Sequence, residues 1–419
     1  LPRLNEDVNE EWISDKTRHV ADGLRTQRLD RPYVRNKDGK LQPATWDEAL
    51  SAVAEKLKGN VAGIGAVMGD LAGAEEMFAL GDLMSRLGVK NVDCRQDGAQ
   101  LDPSLGRASH LFNSTIEGIE QADAILIVGA NPRIEAPVLN ARIRKRWRQG
   151  GLSIGVIGEP AQLTYAYEHL GSGPQALAEV AAGRHKFSGV LSHAKRPMVI
   201  VGAGAAARPD GVAVLAHAAR IAVDALAGKE PGWNAFNILH TAASRVAGLD
   251  LGIVPASGAM DAPAMLAAAA KGGLGVLYLL GADEIGPVPR AATFVGYQGS
   301  HGDVGAQLAD VILPGAAYTE KSATFVNTEG RAQQTVRAAF PPGDAKEDWA
   351  IIRALSERVG HKLPYDTLGA LRTAMLAKAP VLGRLDSVQA AGMAGVEALA
   401  KRSGQLGDAP FASPVADFY

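Results

Sequence analysis

Apolar residues gather along the chain in short runs, at 61–68, 125–128, 154–157, 198–201, 276–280 and 311–313, most of them closed by glycine. The runs are nearly continuous rather than alternating, the pattern of strands buried on both faces. Helical spacings fill the intervals. Thr45-Trp46-Asp47-Glu48 reads as a capping box, followed by Ala49, Val53 and Leu57 on one face. Met77, Leu80, Leu83, Met84 and Leu87 form a second apolar stripe, ended by Gly88. Asp344 with Glu347 reads as the cap of a third helix, with Ile352, Leu355 and Val359 inside it and Gly360 beyond. Strands alternating with helices predict an α/β fold: parallel sheets with helices on both faces.

The rhythm breaks around 171–174 and again over 182–196, which divides a first α/β unit, 46–175, from a second, 176–343. Residues 1–45 are charged and lack the rhythm, so they read as a lead-in from an upstream region; residues 344–419 read as a helical segment. No charged stretch leads into an apolar one at Leu1, so no signal peptide is expected. No run reaches the roughly 18 apolar residues of a membrane span, so direct membrane insertion is not expected.

Composition narrows the chemistry. The formal charge is −2 over 419 residues, so no overall field recruits nucleic acid. Aromatics are 5%, too sparse for a base-stacking platform. Cys94 is the single cysteine, which excludes a disulfide framework and any four-thiolate cage for zinc or an iron–sulfur cluster within the chain.

Gly202-Ala203-Gly204-Ala205-Ala206-Ala207 follows an apolar run, with Asp224 about 20 residues further on, the spacing of a dinucleotide-binding turn and its ribose partner. In a chain so rich in Gly and Ala, and with Asp224 inside a continuous helical pattern at 213–226, close packing of helix on strand is the preferred reading. The nine histidines show no i, i+4 pair with an intervening Glu, so they read as single hydrogen-bonded or solvated groups. Ser300 misses the nucleophile-elbow pattern because Gln298 stands at the first glycine position. Five cations between Arg142 and Arg148 mark a basic helix, read as a partner surface. The richest signal is at strand ends, where ligands of open α/β sheets sit. Gly129-Ala130-Asn131-Pro132, Gly281-Ala282-Asp283-Glu284 and the polar stretch 314–331 all follow apolar runs.

Two stretches carry a resemblance. ADAILIVGANPRIEAPVLNARIRK (122–145) and ADVILPGAAYTEKSATFVNTEGRAQ (309–333) resemble the molybdopterin-dinucleotide oxidoreductases of the formate dehydrogenase and dimethyl sulfoxide reductase type. More narrowly, 300–333, PPGDAKEDWAIIRALSERVG (341–360) and LNEDVNEEWISDKTRHVADGLRTQRLDRPYVR (4–35) resemble the large iron–sulfur subunits of respiratory complex I, the NADH-quinone oxidoreductases. The resemblance implies that a cluster-bearing N-terminal region precedes this part. It also implies a pocket built from Gly129, Asn131, Glu159, Thr319, Glu320, Asn327, Glu329 and Arg331.

Two departures from the cofactor-binding relatives make that pocket vestigial. After the strand end NVD, Ala99 takes the position of the metal ligand, with Asp97 and Cys94 the nearest alternatives. In Gly158-Glu159-Pro160 a proline stands where the relatives carry a nucleotide-contacting arginine. The expectation is therefore a scaffold with no cofactor and no catalytic residue of its own, with Asn327, Glu329 and Arg331 satisfying one another. Its expected partners are other peripheral-arm subunits, not nucleic acid. It is expected on the cytoplasmic face of the bacterial inner membrane, or on the matrix side if eukaryotic. An active molybdopterin enzyme and an NAD-binding dehydrogenase using Gly202 to Asp224 are the alternatives.

Overall fold

Each of the six apolar runs becomes a strand in the computed structural model, which describes residues 2–229, 231–285 and 292–415; Leu1 lies outside them. In chain order the first strands are β1 (Tyr33–Arg35), β2 (Leu41–Pro43), β3 (Ile64–Met68) and β4 (Asn91–Asp93). Next come β5 (Ala124–Val128), β6 (Ser153–Ile157), β7 (Glu168–Gly171), β8 (Pro197–Gly202) and β9 (Phe236–Leu239). The last are β10 (Val276–Leu280), β11 (Phe294–Gly299), β12 (Val311–Pro314), β13 (Thr324–Val326) and β14 (Ala332–Gln334).

These strands make two large sheets and a small hairpin. A seven-stranded sheet has the order β2-β1-β12-β11-β10-β3-β4, and a five-stranded sheet the order β7-β6-β5-β8-β9. β13 and β14 pair separately. The five-stranded sheet is wholly parallel. The seven-stranded sheet is parallel except at one edge, where β1 runs antiparallel to both β12 and β2. Part of the supposed lead-in is thus a sheet edge. The seven-stranded sheet is discontinuous in sequence: the chain leaves it after β4, builds the five-stranded sheet, and returns at β10. The break at 171–196 is the crossover from β7 to β8, so strands on both sides of residue 175 pair in one sheet.

Burial of both sheet faces explains the unbroken apolar runs. On β3, Ile64, Ala66 and Met68 join one core cluster, together with Leu50, Leu80 and Ile352 from three helices. Val67 turns to the other face, where Met265 and Ala269 cover it. On β5 the same division sends Leu126 and Val128 one way and Ile125 and Ile127 the other. The helix Trp46–Leu57 starts with the reciprocal Thr45–Glu48 capping box, and Gly88 ends Ala74–Leu87 in the left-handed conformation. The third cap differs. The helix Asp348–Arg358 begins after Glu347 with no side-chain cap, because the Glu347 carboxylate instead accepts from Trp349 and Arg337.

Both sheets change direction of growth at one point, β5/β8 in the five-stranded sheet and β3/β10 in the seven-stranded one. Each switch point is closed by a glycine pair. Gly129, in the left-handed region at φ 57°, turns the chain out of β5, and its carbonyl lies where a Cβ on Gly202 would stand. Gly281, at φ 56°, does the same for β10 against Gly69. Gly69→Val is therefore expected to destabilise the chain by about 3 kcal/mol or more, through backbone displacement at the switch point. Urea unfolding measures it, and a midpoint unchanged from the parent would contradict the close approach.

Candidate functional site

The polar stretch after β12 starts at the carboxyl ends of the seven-stranded sheet and by Thr328 reaches β9 of the five-stranded one, and its side chains find partners within the protein. Glu320 accepts two bonds from the Arg28 guanidinium, one of them at 2.6 Å, and a third from the Ala317 amide at 2.9 Å. Thr324 donates its amide and hydroxyl to Glu75 at 2.6 and 2.7 Å, and Arg372 approaches the same carboxylate at 2.8 Å. Asn327, Glu329 and Arg331 form a closed set: Arg331 Nε donates to Glu329 at 2.8 Å and its amide to Asn327 at 3.0 Å. The Ile116 amide completes Glu329 at 2.8 Å, while Asp7 and the Asp386 carbonyl complete Arg331. Thr328 donates to the Ile238 carbonyl at 2.6 Å, and Thr319 holds the Ala338 amide with its carbonyl at 2.9 Å.

At the centre lies a buried ionic triad. Lys321, 6% exposed, donates to Glu76 and, at 3.1 Å, to Asp348; the two acids are 2% and 3% exposed. Asp348 also accepts from Gln298 at 2.9 Å, and Gln298 accepts from the Tyr278 hydroxyl at 2.6 Å. One connected chain of bonds thus ties β10, β11, the polar stretch and two helices together. Burial pushes the Glu76 carboxyl up to about 6 against the opposing pull of Lys321. Burial alone would lower the Lys321 ammonium, but the two carboxylates outweigh it and raise it. A cavity of about 190 Å³ adjoins the triad, walled partly by Val20 and Leu24.

Gly129, Asn131 and Glu159 lie elsewhere, lining a cavity of about 620 Å³ at the carboxyl ends of the five-stranded sheet. Phe411 and Ser413 form its further wall. The pocket residues named from the sequence therefore divide between two sheets. Ala99 is buried, its amide bound to Asp97 at 3.1 Å. Asp97, the alternative named from the sequence, pairs with Arg245 at 2.9 Å. Cys94 is 2% exposed, and burial pushes its thiol up to about 12, far from the thiolate a metal needs. Among the described residues no group of three or more His, Cys, Asp or Glu could hold a metal ion.

The remaining candidates resolve one by one. Asp224 is exposed on the helix Gly211–Leu226, and Gly202 and Gly204 pack against backbone of this chain. In the basic helix Pro137–Arg148, Arg142 pairs with Glu120 at 2.6 Å and binds the carbonyls of Glu6 and Val8, while Lys145 pairs with Glu10. That face holds residues 6–10 of the same chain. His240 links the segment at His110 to the polar stretch: its ring lies 2.7 Å from the His110 carbonyl and its amide donates to the Thr328 hydroxyl at 3.2 Å.

Sequence reasoning missed Glu75, Glu76, Arg28 and Asp348. The two glutamates stand in the first turn of the helix Ala74–Leu87, where acids normally face water, and nothing local distinguishes them from solvated N-terminal acids.

The chain is similar to known proteins at three levels. A family model described as molybdopterin oxidoreductase matches residues 28–358. Another, described as the NADH-ubiquinone oxidoreductase NDSU1/NuoG-like 4Fe-4S domain, matches residues 1–22. The mitochondrial NADH dehydrogenase [ubiquinone] iron-sulfur protein 1 of Solanum tuberosum is 44% identical over all of this chain and 55% of its own length. The NADH-ubiquinone oxidoreductase 78 kDa subunit of Candida albicans is 45% identical over all of this chain and 58% of its own. The chain thus spans little more than half of these curated relatives. Among solved structures, acetylene hydratase from Pelobacter acetylenicus superposes with a TM-score of 0.60 at 16% identity, over all of this chain and 71% of its own. A formyltransferase/hydrolase complex from Methylorubrum extorquens gives 0.55 at 18% identity, over 78% of this chain and 98% of that one. At these identities the likeness shows the fold alone.

Two outcomes follow from the site. Lys321→Met leaves two buried carboxylates facing each other without their cation, and should cost about 3–5 kcal/mol in urea unfolding. Replacing all three members together, Glu76→Gln, Lys321→Met and Asp348→Asn, should recover most of that loss; a single substitution as mild as the triple one would contradict the triad. Burial lowers His240 from 6.5 to about 4, partly opposed by its bond to the His110 carbonyl. Below its unfolded value the unfolded state binds more protons, so this contribution is whole above about pH 6.5 and is lost as pH falls towards 4, by about 3 kcal/mol. His240→Gln should remove that part of the acid-limb loss in thermal unfolding measured from pH 7 to 4.

Proposed function

We propose that this chain, which belongs to the molybdopterin oxidoreductase family, is a structural domain without a molybdopterin group, part of the large iron–sulfur subunit of an NADH:quinone oxidoreductase. In this reading electrons pass from NADH to quinone through clusters outside the chain. The domain holds the cluster-bearing region and neighbouring peripheral-arm subunits in fixed relative positions. It has no active site of its own. The assembly sits at the cytoplasmic face of a bacterial inner membrane, or the matrix face if the source is eukaryotic. Among the described residues, no helix is long and apolar enough to cross a membrane.

One observation carries the reading. The charged side chains of the polar stretch after β12 are bonded within the chain: Glu320 to Arg28, Lys321 to Glu76 and Asp348, Glu329 to Arg331 and Asn327. Charged groups that complete each other inside the protein stabilise a fixed arrangement and are not left over for a cofactor; at the five-stranded sheet, by contrast, the buried side-chain oxygen of Asn131 has no partner among the described residues. The reading is supported at the position the resemblance gives to the metal ligand, since a methyl group at Ala99 cannot coordinate, Asp97 is paired with Arg245 and burial keeps the Cys94 thiol protonated. The iron–sulfur assignment rests on the match at residues 1–22. With Cys94 the only cysteine, cluster ligands must come from outside this chain.

The purified chain is expected to contain molybdenum and tungsten far below one atom per molecule by elemental analysis, and to reduce no dye with NADH. Near-stoichiometric metal would replace the scaffold with a working molybdopterin enzyme. Saturable NADH binding would replace it with a dehydrogenase.

A further inference from the structure

Phe411 is completely buried, although residues 402–415 contain no helix or strand. It is inserted at the switch point of the five-stranded sheet. Its amide donates to the Ser172 carbonyl at 2.8 Å, and its side chain packs on Gly129, where a Cβ would stand 3.2 Å from it. The Arg208 guanidinium lies over the ring, 5.1 Å from its centre, and donates to the carbonyls of Ala409 and Pro410 at 2.8 and 3.0 Å. Gly204 faces Ala412 so closely that a Cβ would come within 2.7 Å of its carbonyl oxygen. Asp210, paired with Arg208 at 2.7 Å, accepts from the Gly407 amide at 2.7 Å, and Ser413 donates to Glu135 at 2.8 Å.

The glycine motif that resembles a dinucleotide turn therefore faces a peptide of its own chain. Gly204 supplies the close backbone approach, Arg208 supplies a planar cation for an aromatic ring, and Asp210 fixes the Arg208 fork. These are the contacts a crevice makes with a ligand, directed here at residues 407–413. We infer that the segment 407–415 is the built-in occupant of the crevice between β5 and β8, a strap recognised by Gly129, Gly204 and Arg208 that keeps the turn at Gly202 and Gly204 from external anions, with the cavity of about 620 Å³ lying beside it. The inference deepens the reading of a domain without molybdopterin and rests on it.

Hydrogen exchange on the full chain, followed at the Phe411 amide, tests the strap, with the Ile127 amide in β5 reporting whether the sheet stays folded. In the unaltered chain the Phe411 amide should be strongly protected. Arg208→Ala and Gly204→Val should each accelerate it by about tenfold or more while Ile127 is unchanged, the signature of local rather than global opening. If either variant accelerates Ile127 as well, Arg208→Lys decides, because it keeps the charge and removes only the planar fork; Phe411 should then exchange faster with Ile127 unchanged. Inorganic pyrophosphate in excess should leave Phe411 exchange in the unaltered chain as it was. An unprotected Phe411 amide, exchange unmoved in the variants, or acceleration by pyrophosphate would each overturn the inference. Molybdenum content of the same preparation keeps the two readings apart: metal-free protein with an unprotected Phe411 defeats the strap alone, whereas stoichiometric metal defeats the reading beneath it.

Discussion

The structure depends on one buried lysine placed between two buried carboxylates. Lys321, Glu76 and Asp348 come from a loop and two helices that are far apart in sequence, and the bonds continue through Gln298 to Tyr278 on the central strands. Each charge is tolerable only while the others are in place, since an isolated buried ion carries a desolvation cost of several kcal/mol. The arrangement therefore acts as a registration device. The polar stretch can settle on the strand ends in one position only. Gly315 belongs to the same constraint, because a Cβ there would collide with the Asp348 carboxylate.

The two sheets solve the same problem at their switch points in parallel ways. An open α/β sheet exposes a crevice where its strand order reverses, and that crevice ordinarily takes a ligand. Here segments from opposite ends of the described chain wall off part of both. Residues 20–28 approach the seven-stranded sheet, where His301 binds the Gly23 carbonyl and Arg28 binds Glu320. Residues 407–413 lie at the five-stranded sheet against Arg208. Both additions place polar and apolar groups of the chain where the architecture would otherwise admit a foreign molecule.

The strands were legible because double-sided burial forces continuous apolar runs, and two of the three helix caps because their chemistry is local. The polar stretch was conspicuous for the same reason: so many hydrogen-bonding groups after a buried strand require partners. Those partners could not be read. Glu75 and Glu76 look like ordinary first-turn acids, and Arg28 is one cation among several in a charged segment. The interleaving of the two sheets was hidden too, because nothing in the run at 276–280 says that it will pair with 64–68 rather than with the strands just before it. Phe411 shows the limit most plainly. A lone aromatic between alanines and prolines carries no periodic signal, yet it is wholly enclosed.

Cys94 offers a practical opening. It is the sole sulfhydryl among 419 residues, it sits beside Met77 and Gly248 in the interior, and it stays protonated across the ordinary working range. This chain on its own should thus be nearly silent towards maleimides and spin labels. Within this chain a single engineered surface cysteine would then carry its probe without background, so nanometre-scale spectroscopic rulers could be anchored on either sheet.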